Sequence, residues 1–206
     1  MIWSESLLNQ LLERGWGYDD AVLDPGLGAR WQKLFEIKQK SALFRQSNIA
    51  QHRTRLDIRS DQICWLDWNN QEDCEVLRYL EESRKVAEQD LRLSFPEIEA
   101  HFAHYPLGSS YGRHCDQPHG QGSRRLTFVV YLHHDWRPGW GGELVITDGD
   151  SERALEILEP KPLRVVFFRS DEVWHEVRKS NFDRHSLTGW FRHGRTLVSD
   201  RKTNSF

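Results

Sequence analysis

The sequence, 206 residues long, predicts an α+β, mainly β fold: a jelly roll with supporting N-terminal helices. Three observations predict it. Leucines recur at helical spacing in the N-terminal half, runs rich in β-branched and aromatic residues follow, and short turns containing Gly or Pro separate those runs. Seven or eight short strands at such spacing are typical of a two-sheet sandwich or jelly roll.

Three helices are expected in the N-terminal half. The first apolar stripe consists of Leu7, Leu8, Leu11 and Leu12. Gly15 after it supplies a C-terminal stop signal. The second stripe consists of Leu27, Trp31, Leu34 and Phe35. The segment 69–72 (NNQE) has the spacing of a capping box and predicts a third helix that runs to about Leu93. Its inward residues are Val76, Leu77 and Leu80.

Strands dominate after about residue 100. The strongest predicted strands are 126–132, 143–147, 163–168 and 186–191. Turn signals separate them at 137–142, 148–150 and 159–160. The helical part is too small and too amphipathic to fold alone. We therefore expect one domain over residues 1–206, with helical support over about 1–100 and the jelly-roll core over about 101–193.

Composition and charge exclude several classes of protein. The formal charge of −3, from 28 basic and 31 acidic residues, argues against a nucleic-acid binder. No run approaches the ~18 apolar residues of a membrane span, and the N-terminus lacks the pattern of a secretory signal. The three cysteines, Cys64, Cys74 and Cys115, fit neither a disulfide framework nor a cysteine zinc site. We therefore expect a reduced, cytoplasmic protein.

The ten histidines of the chain indicate a metal site. A short predicted strand leads into His114-Cys115-Asp116, and the period-2 alternation of a strand puts His114 and Asp116 on one face. Two histidines and a carboxylate on one face of the ion form the facial triad of non-haem Fe(II) oxygenases. His175, on a later strand, is the candidate third ligand. Arg184 follows nine residues later, and its guanidinium suits the distal carboxylate of a dicarboxylate cosubstrate.

Ordinary structural explanations exist for the same residue types. A histidine such as His175 is often half-buried in a strand, and an arginine such as Arg184 is often solvated in a turn. A second His-x-Asp pair, His133 and Asp135, lies where a predicted strand enters a loop, and we expect it to be a surface turn. The pair Arg59 and Asp61 suits either a clamp on a peptide backbone or a tight turn, and composition alone favours the turn.

Several segments resemble one enzyme family in order along the chain. They are residues 104–118 (HYPLGSSYGRHCDQP), 131–136 (YLHHDW), 141–144 (GGEL), 159–161 (EPK), 163–171 (LRVVFFRSD), 175–177 (HEV) and 187–191 (LTGWF). This set resembles the 2-oxoglutarate- and Fe(II)-dependent prolyl 4-hydroxylases, in particular the oxygen-sensing prolyl hydroxylases of animals and their bacterial relatives of the elongation factor Tu type. Residues 57–65 (DIRSDQICW) resemble the substrate-covering loop of that subgroup. The resemblance extends from about Leu7 to Arg192.

The resemblance implies a double-stranded β-helix, which is the jelly roll of this family, and a role for each matching residue. The implied catalytic residues are His114, Asp116, His175 and Arg184. The first three of them are the implied Fe(II) ligands. The implied residues of the 2-oxoglutarate pocket are Arg184, Tyr131, Tyr105, Thr188 and Trp190. Arg59 and Asp61 are implied to lie on a mobile loop that closes over a substrate proline.

The implied reaction is hydroxylation of a prolyl residue at C4 in a protein substrate, with release of succinate and CO2. The implied cofactor is Fe(II), the implied cosubstrates are 2-oxoglutarate and O2, and ascorbate is expected to stimulate turnover. The implied protein partner is elongation factor Tu. We expect neither nucleic acid nor a membrane as a partner.

Three alternatives remain open from the sequence. The first is an oxygenase that acts on a free amino acid or a small metabolite. The second is a catalytically silent jelly-roll module that binds the metal only for stability. The third is a hydrolase or isomerase of the cupin type with another divalent metal, although such sites usually use more histidines.

Overall fold

The computed structural model of the protein describes residues 1–47, 59–117 and 122–193. Within these ranges the chain forms three helices and eleven strands. The helices are α1 (Glu5–Arg14), α2 (Pro25–Lys40) and α3 (Gln71–Leu91). The strands are β1 (Trp16–Asp19), β2 (Arg45–Gln46), β3 (Gln62–Trp65), β4 (Glu97–Tyr105), β5 (Tyr111–His114), β6 (Arg124–Tyr131), β7 (Leu144–Thr147), β8 (Ala154–Leu158), β9 (Val165–Arg169), β10 (Trp174–Val177) and β11 (Arg184–Arg192).

The described strands form two antiparallel sheets, which confirms the predicted jelly-roll class. The major sheet has the order β1-β9-β6-β11-β4-β3-β2, and the minor sheet has the order β5-β10-β7-β8. The longest pairing joins β11 to β4 over nine residue pairs, from Arg184 opposite Tyr105 to Arg192 opposite Glu97. Together, β4, β11 and β6 form the centre of the major sheet.

The three predicted helices are confirmed, as is the stop signal at Gly15, but the cap of α3 is Asn70 and not Asn69, and that helix ends at Leu91. The Ser4 hydroxyl accepts a hydrogen bond from the Leu7 amide at the start of α1, and Gly15 ends that helix at φ 83°. The Asn70 side chain accepts from the Glu72 and Asp73 amides at the start of α3. In the first stripe, Leu12 is 68% exposed because it lies outside the arc of the helix that faces the sheet.

Two hydrophobic clusters lie on opposite faces of the major sheet. On the outer face, helix residues such as Trp31 and Phe35 pack with Phe128 and Val130 of β6. On the inner face, Val129 and Tyr131 of the same strand pack with residues of the minor sheet. The alternation along β6 therefore separates the outer core from the space between the two sheets, where a cavity opens.

The N-terminal half also supplies strands that the sequence patterns do not mark. β1 pairs with β9, and β3 pairs with β4, so both extend the major sheet. β4 itself reads EIEAHFAHY, and its Glu and Ala residues have low strand propensity. These strands form because of their tertiary pairing and not because of local preference. Among the described helices, none has the length and apolar character needed to cross a membrane.

Candidate active site

Two neighbouring strands of the minor sheet bring three potential metal ligands together. His114 ends β5, His175 lies in β10, and the antiparallel pairing makes these histidines register partners. Asp116 follows His114 by two residues, and one ligand atom of each residue lies within 4.8 Å of the other two. Oδ1 of Asp116 is 3.5 Å from Nε2 of His114 and 4.0 Å from Nε2 of His175.

Backbone carbonyl groups fix the orientation of both imidazole rings. Nδ1 of His114 lies 2.8 Å from the carbonyl oxygen of Gly112, and Nδ1 of His175 lies 3.1 Å from that of Val173. Because a carbonyl oxygen only accepts, each Nδ1 carries the proton and each Nε2 presents its lone pair. Metal-binding histidines use the same kind of outer contact. The Tyr111 ring also stacks on the His114 ring at 3.6 Å between centroids.

The two oxygens of Asp116 have different surroundings. Oδ2 accepts hydrogen bonds from the Thr127 hydroxyl at 2.8 Å and from the Trp190 indole N–H at 2.9 Å. Oδ1 is left facing the two histidines. Burial raises the pKa of Asp116, but the imidazoles of His114 and His175, which are protonated at the low pH where a carboxylate titrates, and the indole N–H lower it by more, to a net value well below its usual range. The carboxylate is therefore ionised and has one oxygen available for a metal.

Arg184 is a buried cation without an acidic partner among the residues that the structure describes. It is 2% exposed, and its Nε donates to the carbonyl oxygen of Gly142 at 2.9 Å. Its guanidinium lies over the rings of Tyr105 and Tyr131, at 4.8 and 4.9 Å from the ring centroids. Buried charges are usually paired. This arrangement therefore fits a ligand carboxylate.

The Tyr131 hydroxyl supports the same interpretation. It is buried and has no hydrogen-bond partner within the described parts of the chain. Burial raises the pKa of this phenol, so that it remains a hydrogen-bond donor. An unsatisfied buried hydroxyl costs stability unless a ligand supplies the acceptor. The hydroxyl and the adjacent Arg184 guanidinium therefore form an incomplete anion site.

One cavity of about 950 Å³ is lined by all three triad residues, His114, Asp116 and His175, and also by Arg184. The remaining cosubstrate candidates that line the cavity are Tyr105, Thr188 and Trp190. Leu144 and Trp190 line the cavity, whereas Phe128 and Val130 belong to the outer core. The sequence-predicted triad and Arg184 thus share a single cavity.

Arg59 and Asp61 form a tight ion pair at the wall of this cavity. The guanidinium donates to both carboxylate oxygens, at 2.6 and 2.9 Å. Asp61 is fully buried and also accepts from the Ser47 hydroxyl at 2.6 Å. Burial raises the pKa of Asp61, but the hydrogen bond and charge of Arg59 lower it to a net value below the usual range. Arg59 itself lines the cavity.

The structure shows the pair as an internal ion pair, with Arg59 in an isolated bridge to Tyr111, and the predicted substrate-loop role remains a prediction. Residues 57 and 58 of the predicted loop segment lie outside the described residues, as does residue 118 of the iron-strand segment.

Sequence reasoning missed the residues that support the triad. Thr127 lies within a predicted strand, and its hydroxyl links Asp116 to Ser170 through contacts of 2.8 Å. His101 lies between the rings of Trp65 and Trp190, at 4.8 and 5.4 Å between centroids. The one local sign of this role is that Thr127 is a polar residue on the inner face of an otherwise apolar strand.

The second His-x-Asp pair corrects one prediction. Asp135 and the neighbouring His134 are exposed, as a surface turn requires. His133, however, is buried, because its Nε2 accepts from the backbone amide of His185 at 3.3 Å and its ring stacks on the His185 ring. It lies outside the triad cavity.

The donor set fits the metal that the sequence indicates. Two neutral imidazole nitrogens and one ionised carboxylate oxygen converge, as in a 2-His-1-carboxylate iron site. Arg184 lines the same cavity and fits one end of a dicarboxylate, whereas Tyr131 contacts Arg184 but is not among the described residues that line the cavity. These two fits are independent, because the two sets of residues come from different strands.

Comparison with known proteins gives a consistent result. Residues 100–192 match the family model described as the 2OG-Fe(II) oxygenase superfamily. The chain is 30% identical over 199 residues to prolyl hydroxylase EGLN3 of Mus musculus, covering 91% of this chain and 82% of that protein. It is 32% identical over 143 residues to mouse Egl nine homolog 1, covering 66% of this chain and 35% of the relative. The chain thus spans about a third of the length of that relative.

Solved structures show the same similarity. A Pseudomonas putida prolyl-4-hydroxylase superposes with a TM-score of 0.81 at 32% identity, covering 91% of this chain and 97% of that one. A prolyl hydroxylase of Trichoplax adhaerens, solved with a hypoxia inducible factor peptide fragment, has a TM-score of 0.80 at 24% identity, covering 91% and 87%. At 24% identity, the similarity to the Trichoplax adhaerens structure shows a shared fold. From its site and these relatives together, the chain belongs to the 2OG-Fe(II) oxygenase superfamily, among relatives that are prolyl hydroxylases.

Proposed function

We propose that the protein is a 2-oxoglutarate- and Fe(II)-dependent dioxygenase that hydroxylates C4 of a prolyl residue in a protein substrate. One oxygen atom of O2 enters the proline and the other enters succinate, while 2-oxoglutarate loses CO2. The observation that carries the proposal is a single cavity that joins a His/Asp/His triad to a buried Arg184 without an acidic partner in the described ranges.

In this proposal His114, Asp116 and His175 hold Fe(II). Bound iron, with 2-oxoglutarate and O2, supplies the oxidising power for hydroxylation of a C–H bond. The protein residues supply position. The carbonyl groups of Gly112 and Val173 hold the two rings, while Thr127 and Trp190 hold Asp116 with Oδ1 toward the histidines. Such preorganisation would hold the three ligand atoms in position to bind the ion.

Arg184 and Tyr131 bind the distal carboxylate of 2-oxoglutarate. The carboxylate supplies the anion that the Arg184 guanidinium lacks and the acceptor that the Tyr131 hydroxyl lacks. Tyr105 and Thr188 line the same cavity as the triad and Arg184. The apolar surfaces of Leu144 and Trp190 exclude bulk water from the reacting atoms.

The size and composition of the cavity support a polypeptide substrate. The cavity extends beyond the triad to Trp65 and to the buried ion pair of Lys38 and Asp73, so its volume exceeds the need of a five-carbon dicarboxylate. Arg59 lies on its wall, where a substrate backbone would pass. Elongation factor Tu is the protein that the resemblance indicates. The free thiols of Cys64, Cys74 and Cys115 support action in the reducing cytoplasm.

The decisive experiment is peptide mass spectrometry on elongation factor Tu after incubation with the enzyme, Fe(II), 2-oxoglutarate and air. His175→Ala is the inactive control, and His134→Ala, which removes an exposed histidine away from the cavity, is the matched active control. A gain of one oxygen on a proline with wild type and His134→Ala alone supports the proposal. Succinate without a modified proline redirects the search to another protein or a small molecule. If neither succinate nor a modified proline is formed, the result favours the catalytically silent module.

Two further variants separate the cosubstrate site from the substrate loop. Arg184→Ala removes the buried cation, and we expect the KM for 2-oxoglutarate to rise by about two orders of magnitude, since truncating one partner of a buried charge pair costs about 2–5 kcal/mol. An unchanged KM removes Arg184 from this role. Arg59→Ala is expected to slow peptide hydroxylation while 2-oxoglutarate binding stays normal. Unaltered peptide hydroxylation contradicts the loop assignment.

A further inference from the structure

A second cluster of potential metal ligands lies on the outer face of the major sheet. His104 is in β4, His185 is its register partner in β11, and Asp183 precedes β11 directly. One ligand atom of each residue lies within 4.8 Å of the other two, the same limit that describes the triad. Nε2 of His104 is 3.4 Å from Oδ2 of Asp183.

Strand alternation separates this cluster from the active-site cavity. Arg184 stands between Asp183 and His185 in the sequence and faces the cavity, so its two neighbours face the other way. The His185 ring lies 4.3 Å from the ring of Phe35, which belongs to α2 and the outer core. The cluster is therefore bounded by the end of α2 on one side and by solvent at Asp183 on the other, since that side chain is 55% exposed.

Three ring nitrogens in the two histidines of the cluster lack a well-aligned hydrogen-bond partner among the described residues. Nε2 of His185 is buried and has no hydrogen-bond partner among the described residues. The amide nitrogen of Gln39 lies 3.3 Å from Nδ1 and 3.4 Å from Nε2 of His104, so it is shared side-on between both and aligned with neither. Buried polar atoms normally have a partner. A ligand that accepts lone pairs would satisfy these nitrogens.

We propose that His104, Asp183 and His185 form a second metal site, for a divalent transition ion of the Zn²⁺ type. Two imidazole nitrogens and one carboxylate oxygen suit zinc and its neighbours, whereas Mg²⁺ and Ca²⁺ prefer sites made of oxygen alone. Two ligands of a tetrahedral zinc ion bonded at about 2.0–2.1 Å stand roughly 3.3 Å apart. The His104–Asp183 pair already has this separation.

The site leaves one position open to water. Three protein ligands are present, and the exposed Asp183 provides the path by which an ion enters. Three ligands and an open position distinguish it from a closed four-ligand structural site. The site explains why histidines cluster outside the triad, with His133 stacked on His185 behind the proposed ligands.

The test uses the chain of 206 residues with the triad disabled, so that any bound ion reports the second cluster. We would titrate Zn²⁺ into His114→Ala/His175→Ala in competition with a chromophoric chelator, and repeat the titration with Co²⁺ to read its d–d absorption. We expect one ion per chain with the absorption of a four-coordinate site. Adding Asp183→Asn should weaken binding at least tenfold, and adding His185→Ala should abolish it.

Two controls keep the result interpretable. Asp183 is exposed and Asn keeps the Oδ1 acceptor for the Leu107 amide, so Asp183→Asn tests the ligand without disturbing the fold. His134→Ala removes a nearby exposed histidine outside the cluster and should leave binding unchanged. The proposal is overturned if the triad-disabled protein binds no Zn²⁺, or if binding survives Asp183→Asn and His185→Ala at full strength.

Discussion

The Tyr131 hydroxyl leads to a prediction in which stability and binding change in opposite directions. Tyr131→Phe removes one oxygen that is buried, unpartnered in the described structure and next to the Arg184 guanidinium. A buried hydroxyl without a partner costs about 1–3 kcal/mol of stability. Its removal leaves the ring in place, so we expect the protein without cosubstrate to gain about 1 kcal/mol. In a chain of this size that raises Tm by about 2–4 °C.

The same change should weaken cosubstrate binding. A hydrogen bond to a charged group contributes about 1.5–3 kcal/mol. Losing the bond from Tyr131 to the distal carboxylate of 2-oxoglutarate therefore raises the Kd at least tenfold. Differential scanning calorimetry without cosubstrate measures the change in Tm. Isothermal titration calorimetry with 2-oxoglutarate, with Mn²⁺ in place of iron, measures the Kd.

A matched variant and a clear refutation complete this test. Tyr79→Phe removes the hydroxyl of a half-buried tyrosine whose ring packs against Trp31 and which is not among the residues that line the cavity, so it should leave the Kd for 2-oxoglutarate unchanged. The reasoning is refuted if Tyr131→Phe has a lower Tm than wild type without cosubstrate while its affinity for 2-oxoglutarate is unaltered. That outcome would mean that the hydroxyl already has a partner in the protein and does not meet the carboxylate.

Three further predictions concern the surroundings of the site. Thr127→Val removes the hydroxyl that donates to Asp116, so Fe(II) affinity should fall about 10–100-fold, and an unchanged Kd in a metal titration would contradict this support role. Gly189→Val should destabilise the protein by about 1–3 kcal/mol in urea melts, since its Cβ would meet the Phe128 ring; wild-type stability would refute that close packing. Burial lowers the pKa of His101 to about 3, so the unfolded chain, with an ordinary value near 6.5, binds more protons below that pH. The free energy of unfolding should then fall by about 1.4 kcal/mol per pH unit as the pH drops from about 6.5 to 3, because of this group. His101→Gln should reduce the measured slope by that amount. A slope equal to that of the wild type would mean that another group titrates.

Local signals in the sequence predict part of the fold and the core of the site. The caps at Ser4, Gly15 and Asn70 act within one turn of helix, so the sequence marks those boundaries directly. The strands β1, β3 and β4 depend on partners far away in the chain, and nothing local in β4 marks it as the centre of a sheet. Pairing across sequence distance is what local patterns cannot express.

The same distinction applies to the site residues. The spacing of His114 and Asp116 is a local signal, and the order of His175 and Arg184 after them adds a second constraint. All four residues line the one cavity. Thr127 contacts Asp116 only because β6 passes behind it, which no spacing rule encodes. His133 was expected at the surface because a predicted strand enters a loop there, yet the distant backbone of β11 gives it a buried partner.

The short strands at the margins of the major sheet have a consequence for self-association. A sheet margin exposes unpaired N–H and C=O groups that can template pairing with another molecule. β1 has four residues and covers β9, whose sequence VVFFR is strongly β-forming, and β2 has only two residues at the opposite margin. By pairing with β9, β1 covers an apolar strand that would otherwise be open to intermolecular pairing, so loss of β1 should favour aggregation.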